Sequence, residues 1–300
     1  MKQIAVICGA TATGKTRLAV DLAQKLNTEI ISADSQLIYK GLNVGTAKPT
    51  ESEMRGVKHH MIDIAEPNET FSVGNYSEKA TPIFKNLLDT GKVPVICGGT
   101  GFYINSLLFD LGYGNTAADD GVRKKYSEFL NEHGKEALFE RLKEVDPETA
   151  EKLHPNDVKR VVRALEIFEV SGKRKSQQRD KMISKYDYLA VAVDYPREEL
   201  YERINKRVDE MFNDGLLEEI EVLLSRGIDE NCQSMQAIGY KEVLQCLKNG
   251  NNQSTMRDII KQNTRRYAKR QITFFKKFPD IVWLKPEEAT TDRILELMNG

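Results

Sequence analysis

The chain has 300 residues, 44 of them Lys or Arg against 45 Asp or Glu, for a net charge of −1. That length permits one large domain or two small ones, and the charge balance excludes a general basic field, so any nucleic-acid affinity must come from local patches. No apolar run approaches the ~18 residues of a membrane span and no secretory leader is evident. The four cysteines (Cys8, Cys97, Cys232, Cys246) lack C-x-x-C spacing. A reducing cytoplasm, no membrane and no zinc site are therefore expected.

Ile4–Cys8 is an apolar run that leads straight into Gly9-Ala10-Thr11-Ala12-Thr13-Gly14-Lys15-Thr16, a match to G-x-x-x-x-G-K-[ST]. Leu18, Leu22 and Leu26 follow at four-residue spacing, so strand, glycine loop and amphipathic helix stand in the order of a phosphate cradle. In such a cradle backbone N–H groups and the helix dipole meet the anion, Lys15 adds a point charge and the Thr16 hydroxyl can ligate Mg²⁺. A di- or triphosphate, including a nucleotide such as ATP, is the implied ligand class.

Glu29–Asp34 reads as a second strand ending on a carboxylate, 41–49 as a loop, and His59–Ile64 as a third strand or strand edge. A helix is predicted over Val73–Asp89, kinked at Pro82. Val93–Cys97 is a buried strand, followed by Gly98-Gly99-Thr100-Gly101 and a helix to Phe109. Repeated strand–loop–helix units predict an α/β fold, a P-loop doubly wound parallel sheet with ligands at the C-terminal strand ends. From 115 to 185 strand signals vanish, so an inserted helical subdomain is predicted there, with residues 1–114 and 186–300 as the core. Gly172–Ser176 reads as basic and unstructured. Tyr188–Asp194 restores a strand, helices resume at Arg197, and Met256–Lys277 is a long helix carrying Lys261, Arg265, Arg266, Lys269, Arg270, Lys276 and Lys277, with no acid between Asp258 and Asp280. Ile281–Leu284 and a short amphipathic helix close the chain.

Asp34 suits a ligand for an acceptor hydroxyl or Mg²⁺, a proton acceptor, or simply a turn residue. Gly98–Gly101 resembles a second phosphate-binding turn. Asp194 imitates a Walker B acid but Tyr195-Pro196 follows it. Arg160 and Arg163 share a helix face. The long basic helix, interleaved with Tyr267, Phe274 and Phe275, suggests a phosphate-backbone partner. His59 and His60 lack metal spacing and read as packing or hydrogen-bonding residues.

Together, GATATGKT (9–16), ISADSQLIYKGLNVGTAKP (31–49), HHMIDI (59–64), PVICGGTGFY (94–103), HPNDVKRVVRALEIFEVSG (154–172), SMQAIGYKE (234–242) and TRRYAKRQITFF (264–275) resemble the bacterial tRNA dimethylallyltransferases. Ala10, Thr13 and Phe102 depart from the family's usual residues without removing a donor or a carboxylate. The resemblance implies transfer of a dimethylallyl group from dimethylallyl diphosphate to the exocyclic N⁶ of the adenosine 3′ of a tRNA anticodon. It implies Lys15, Asp34 and Thr100 as catalytic groups, with Asp34 as proton acceptor. The diphosphate would sit on Gly9, Ala10, Thr11, Ala12, Thr13, Gly14, Lys15 and Thr16, supported by Arg203 or Arg207, with Mg²⁺ on Thr16. Asp34, Ser35, Gln36, Leu37, Thr100, Arg123, Lys159, Arg160 and Arg163 would meet tRNA, and the chain would act as a monomer. A nucleoside or small-molecule kinase, an RNA-binding P-loop switch, and a prenyltransferase acting on free AMP or ATP are the alternatives.

Overall fold

A computed structural model describes residues 3–111, 119–177 and 182–300. The predicted insert boundary at 115 lies outside them. The chain divides into two compact units, one of residues 1–108 with 184–300, the other of residues 109–183.

The first unit is built on β1 (Ile4–Cys8), which is completely buried because five apolar residues in succession leave neither face for water. After it come α1 (Lys15–Lys25), β2 (Ile30–Ser32), α2 (Glu51–Met54), β3 (His59–His60), α3 (Val73–Asp89), β4 (Val95–Gly98) and α4 (Gly101–Leu108). The second unit holds α5 (Asp120–Val145), α6 (Pro147–Ala150) and α7 (Val158–Ser171). The chain then returns to the first unit with β5 (Tyr188–Val193), α8 (Arg197–Asn213), α9 (Leu216–Ser225), α10 (Tyr240–Lys248), α11 (Gln253–Phe275), β6 (Ile281–Leu284) and α12 (Thr291–Asn299).

The six strands form one all-parallel sheet, ordered β3-β2-β4-β1-β5-β6. Ile7 is flanked by Cys97 on one side and Val191 on the other, so β1 is central. Its C-terminal end therefore opens among β2, β4 and β5, and the loop after it is the natural ligand position. On one face Leu18, Ala19, Leu22 and Ala23 of α1 pack with Ile30, Val95, Val191 and the C-terminal Ile294 and Met298. Burial of each such leucine is worth about 1.5–3 kcal/mol.

The second unit has its own core, in which Tyr126, Leu138, Phe139 and Leu142 of α5 meet Val161, Ala164 and Leu165 of α7. Gly134 breaks α5 internally with φ 82°. The stretch predicted as unstructured contains a 3₁₀ turn, Lys175–Gln177, because the buried Asp146 carboxylate accepts the Ser176 N–H at 2.9 Å. α3 runs through Pro82 as one helix. The carbonyl that proline leaves without a helical donor belongs to Glu78, which is exposed, so water can satisfy it.

The glycines of Gly98-Gly99-Thr100-Gly101 have a packing cause. A Cβ on Gly98 would lie 2.1 Å from the Ala33 carbonyl oxygen, one on Gly99 2.1 Å from Gln271 Nε2, and one on Gly101 1.9 Å from the Phe274 ring. The Thr100 N–H is spent on Ala33 O at 3.0 Å. The turn is thus glycine-rich so that β2 and α11 can approach it, a packing cause additional to the reading of its glycines as freed phosphate donors. Gly98→Ala should lower the stability to chemical denaturation by at least about 1–3 kcal/mol, the usual cost of overpacking. A variant as stable as the wild type would show that the β2–β4 approach can relax.

Candidate active site

The phosphate loop takes its shape from three residues at positive φ: Gly9 at 118°, Ala12 at 63° and Gly14 at 79°. Only the glycines hold that region without steric cost, and Ala12 is the strained position. The loop is cross-braced from within and from outside. Thr13 Oγ1 donates to Ala10 O at 2.9 Å, and the Lys15 ammonium donates to the same carbonyl. Arg203 of α8 donates from Nε to Ala12 O at 2.8 Å, and Arg207, one turn on, from Nη1 to Thr11 Oγ1 at 3.2 Å. Gln271 of α11 accepts the Thr11 N–H at 2.9 Å and gives its own amide hydrogen to Gly99 O at 3.1 Å.

Beside the loop lies a cavity of about 380 Å³. Its polar lining includes Lys15, Thr16, Asp34, Gln36, Arg207 and Gln271; its apolar lining includes Ile62, Ile204, Val208, Met211, Ile238 and Ile260. Ser35 and Leu37 line it as well. Thr100 stands at its margin, accepting the Ser35 N–H at 3.0 Å through Oγ1. Of the two arginines offered for the diphosphate, Arg207 lines the cavity; Arg203 instead lies over the Tyr195 ring, 4.6 Å from its centroid.

The electrostatics suit an anion. Burial pulls the Lys15 ammonium below the usual lysine range, and Arg207 adds to that while the Asp34 charge opposes it. Burial likewise lowers Arg207, again opposed by Asp34. Two desolvated cations offset by a single carboxylate favour a polyanion that neutralises both. Asp34 makes a turn of its own, Oδ1 accepting the Gln36 N–H at 2.9 Å, which leaves Oδ2 for a ligand. The turn and ligand readings of this residue are therefore compatible.

Among the described residues no cluster of three His, Cys, Asp or Glu could hold a metal. A P-loop magnesium site does not require one, since a single hydroxyl, water and substrate phosphate oxygens make up its shell. The Ser32 hydroxyl, buried and without a hydrogen-bond partner among the described residues, lines the same cavity as Thr16 and Asp34. The oxygen donors present fit Mg²⁺ brought in with a diphosphate.

The basic residues divide differently from their sequence pattern. In the second unit Glu166 is fully buried and binds Arg123 Nε at 2.8 Å, Arg163 Nη1 at 2.6 Å and the Asp119 N–H at 2.9 Å. Lys159 and Arg160 are exposed, Arg160 3.6 Å from Asp157. On α11, Arg257 and Lys261 are paired with Asp209 of α8 at 3.2 and 2.8 Å, so part of the acid-free run is neutralised from a neighbouring helix. Arg266, Lys269, Lys276 and Lys277 remain exposed, and Arg270 lines the cavity. His59 does hydrogen-bond, through Nδ1 to Val57 O at 2.9 Å, and it lines the cavity.

Gln271, Gln236 and Glu219 had no sequence-derived role, and Tyr267 entered only as an aromatic of the basic helix. All but Glu219 fall inside the motifs that carried the resemblance, yet nothing in their spacing says that they face the cavity.

The profile of the IPP transferase family matches residues 37–278. The chain belongs to this family. It is 45% identical to a tRNA dimethylallyltransferase of Caldanaerobacter subterraneus subsp. tengcongensis over 99% of this chain and 98% of that one. A tRNA dimethylallyltransferase of Acetivibrio thermocellus is 43% identical over 97% and 94%. Among solved structures, the tRNA isopentenylpyrophosphate transferase of Bacillus halodurans superimposes with a TM-score of 0.73 at 40% identity, covering 100% of this chain and 95% of that one. A eukaryotic dimethylallyltransferase captured acting on tRNA gives 0.84 at 29% identity, covering 100% and 79%. The P-loop fold and the family of transferases are thereby established for the chain.

Glu166 provides a test of the second unit. Burial pushes its carboxyl up, but the Arg163 hydrogen bond, the Asp119 N–H and the two guanidinium charges outweigh it and hold the group below the ordinary carboxylate range. Its stabilisation is present above the unfolded value of about 4.3 and disappears as pH falls through the lower folded value. Arg163→Met should cost about 1–3 kcal/mol at pH 7, since a buried carboxylate loses a charged donor. It should also flatten the fall in stability between pH 5 and pH 3, followed by denaturant titration at each pH. An unchanged acid limb would mean that Arg123 alone suffices.

Proposed function

We propose that the chain transfers a dimethylallyl group from dimethylallyl diphosphate to the exocyclic amino nitrogen of the adenosine immediately 3′ of a tRNA anticodon, with release of diphosphate. One observation carries this beyond family membership. A single cavity unites a cradle of two cations and a hydroxyl (Lys15, Arg207, Thr16), a carboxylate (Asp34) and an apolar wall (Ile204, Val208, Met211, Ile260). A kinase acting on a small polar acceptor needs the first two but has no use for the third. An allylic donor needs all three.

In this reading the diphosphate lies on the N–H groups of the Gly9–Thr16 loop, and the five-carbon chain lies along the apolar wall. As the allylic C–O bond breaks, charge grows on the leaving oxygen. Lys15 and Arg207 stabilise it there, where the low local dielectric gives them most effect. The adenine nitrogen forms the new bond to carbon, and its proton passes to Asp34 Oδ2. Thr100, whose oxygen accepts from Ser35, has its own O–H to offer a phosphate oxygen or an adenine ring nitrogen. Ser35, Gln36 and Leu37 meet the nucleotide entering the cavity, since a target base must leave its stack to be reached. Mg²⁺ on Thr16 would neutralise diphosphate oxygens.

Labelled dimethylallyl diphosphate should be transferred to unmodified tRNA and not to AMP or ATP; labelling of AMP would replace this reading with that of a free-nucleotide prenyltransferase. Asp34→Asn should lower kcat by about 10²–10⁴-fold, the range for loss of a general base, with tRNA affinity retained. Near-normal kcat would make Asp34 a positioning group.

The exposed Lys159 and Arg160 give a separate test of tRNA binding by the second unit. Replacing both by Ala should weaken tRNA binding and flatten its log–log salt dependence by up to about 1 for each phosphate that is no longer neutralised. The KM for the diphosphate donor should not move. An unchanged slope would make these residues a solvated face only.

A further inference from the structure

Glu219 lies on α9, outside every motif that pointed to the function, yet its carboxylate is saturated with donors from the edge of the cavity. Oε2 accepts the N–H groups of Asn43 and Val44 at 2.7 and 2.8 Å. Oε1 accepts the Gly45 N–H at 3.1 Å and the Tyr240 hydroxyl at 2.6 Å. Three successive backbone N–H groups converging on one anion form a nest, a conformation that a neutral partner cannot hold as well. Tyr240 is fully buried and packs so closely that a Cβ on Gly45 would lie 2.5 Å from its ring. Burial and the Glu219 charge both push the Tyr240 hydroxyl pKa up, so it stays a donor.

The next residue of that loop, Thr46, carries the consequence. Its carbonyl accepts Arg207 Nη2 at 3.2 Å, while Arg207 Nη1 reaches Thr11 of the phosphate loop. Arg207 Nε is buried and has no hydrogen-bond partner among the described residues. The guanidinium is thus aimed by two hydrogen bonds, one to the loop that Glu219 holds and one to the phosphate loop.

We propose that Glu219 is a positioning residue for the diphosphate site, acting through the 43–46 loop and the Thr46 carbonyl to fix the Arg207 guanidinium. This rests on the reading of Arg207 as a diphosphate group. Glu219 touches neither substrate nor phosphate; it supplies a resident anion around which the loop closes. An amide at 219 presents an N–H₂ toward N–H donors, so isosteric replacement undoes the nest while leaving the volume of the core unchanged.

Binding of inorganic pyrophosphate, measured by calorimetry on the full chain, tests this series of hydrogen bonds directly. Glu219→Gln should weaken it about 10- to 100-fold, as expected when a binding group is misplaced by about an ångström. kcat for prenyl transfer should fall with it, and the dissociation constant for tRNA should stay unchanged. Tyr240→Phe, which removes one of four donors and leaves the packing, should give a smaller loss in the same direction. The deciding measurement is the double-mutant cycle with Arg207→Ala: if Glu219 acts through Arg207, Glu219→Gln costs little further in that background. Additive losses, or unchanged pyrophosphate affinity in both Glu219→Gln and Tyr240→Phe, would overturn the proposal. Unchanged affinity in Arg207→Ala itself would instead remove Arg207 from the diphosphate site. Transfer to AMP with the cycle still coupled would displace only the tRNA reading.

Discussion

The bridge made by the Gln271 side chain joins the two halves of the site. A parallel sheet gathers its loops at one end, but each such loop brings N–H and C=O groups that the sheet itself no longer satisfies. Gln271 meets one of each, taking the Thr11 N–H and supplying a donor to Gly99 O, across 260 and 172 residues of sequence. It is almost fully buried, so neither bond competes with bulk water. The last long helix therefore belongs to the active-site wall as well as to the surface, and the spacing between the phosphate loop and the Thr100 turn is set by an amide of fixed length.

The same principle extends outward. Arg203 and Arg207 brace the phosphate loop from α8, and Asp209, two residues beyond, ties α8 to α11 through Arg257 and Lys261. The cradle is thus held by side chains from the C-terminal third of the chain, although its motif is complete within the first sixteen residues. A P-loop peptide without those helices would keep the glycines that allow the conformation and lose the donors that select it.

This separation decides what the sequence could disclose. Strands such as Ile4–Cys8 and Tyr188–Val193 were legible because unbroken apolar runs have no other use in an α/β chain, and all six strands lie where the pattern placed them. The long helices were legible from their apolar periodicity. The 9–16 loop was legible because phosphate binding demands glycine and lysine at fixed spacing in a strand–helix context. By contrast α10 passed unread: it has nine residues, starts at Gly239 with φ 103° and shares its segment with cavity-lining residues. Glu219 and Gln271 were invisible as site residues for a plainer reason. A carboxylate on an amphipathic helix looks the same whether it faces solvent or three backbone N–H groups, and only tertiary structure tells the two apart.

Charge patterning misled in the same way and for the same cause. The run from Lys261 to Lys277 lacks acids in sequence, but helices are neutralised by whatever packs beside them, and Asp209 lies some fifty residues upstream. The Arg160/Arg163 pair splits likewise, since Arg163 turns to the buried Glu166 while Arg160 stays at the surface. Part of the apparent polyanion-binding face is thus scaffolding, in which one carboxylate, the buried Glu166 or the half-exposed Asp209, holds two cations from different turns or helices. What remains is a smaller set, Arg266 and Lys269 on α11 with Lys276 and Lys277 just past its end, and α11 is the same helix that sends Tyr267, Arg270 and Gln271 to the cavity. Arg266 and Arg270 stand four residues apart on one face of this helix, so a phosphate backbone held at Arg266 would lie about one helical turn, about 5.4 Å along the axis, from a group that lines the cavity. A nucleotide extruded from such a strand could span that distance, which gives the basic charge on α11 a geometric relation to the chemistry that its sequence pattern alone did not convey.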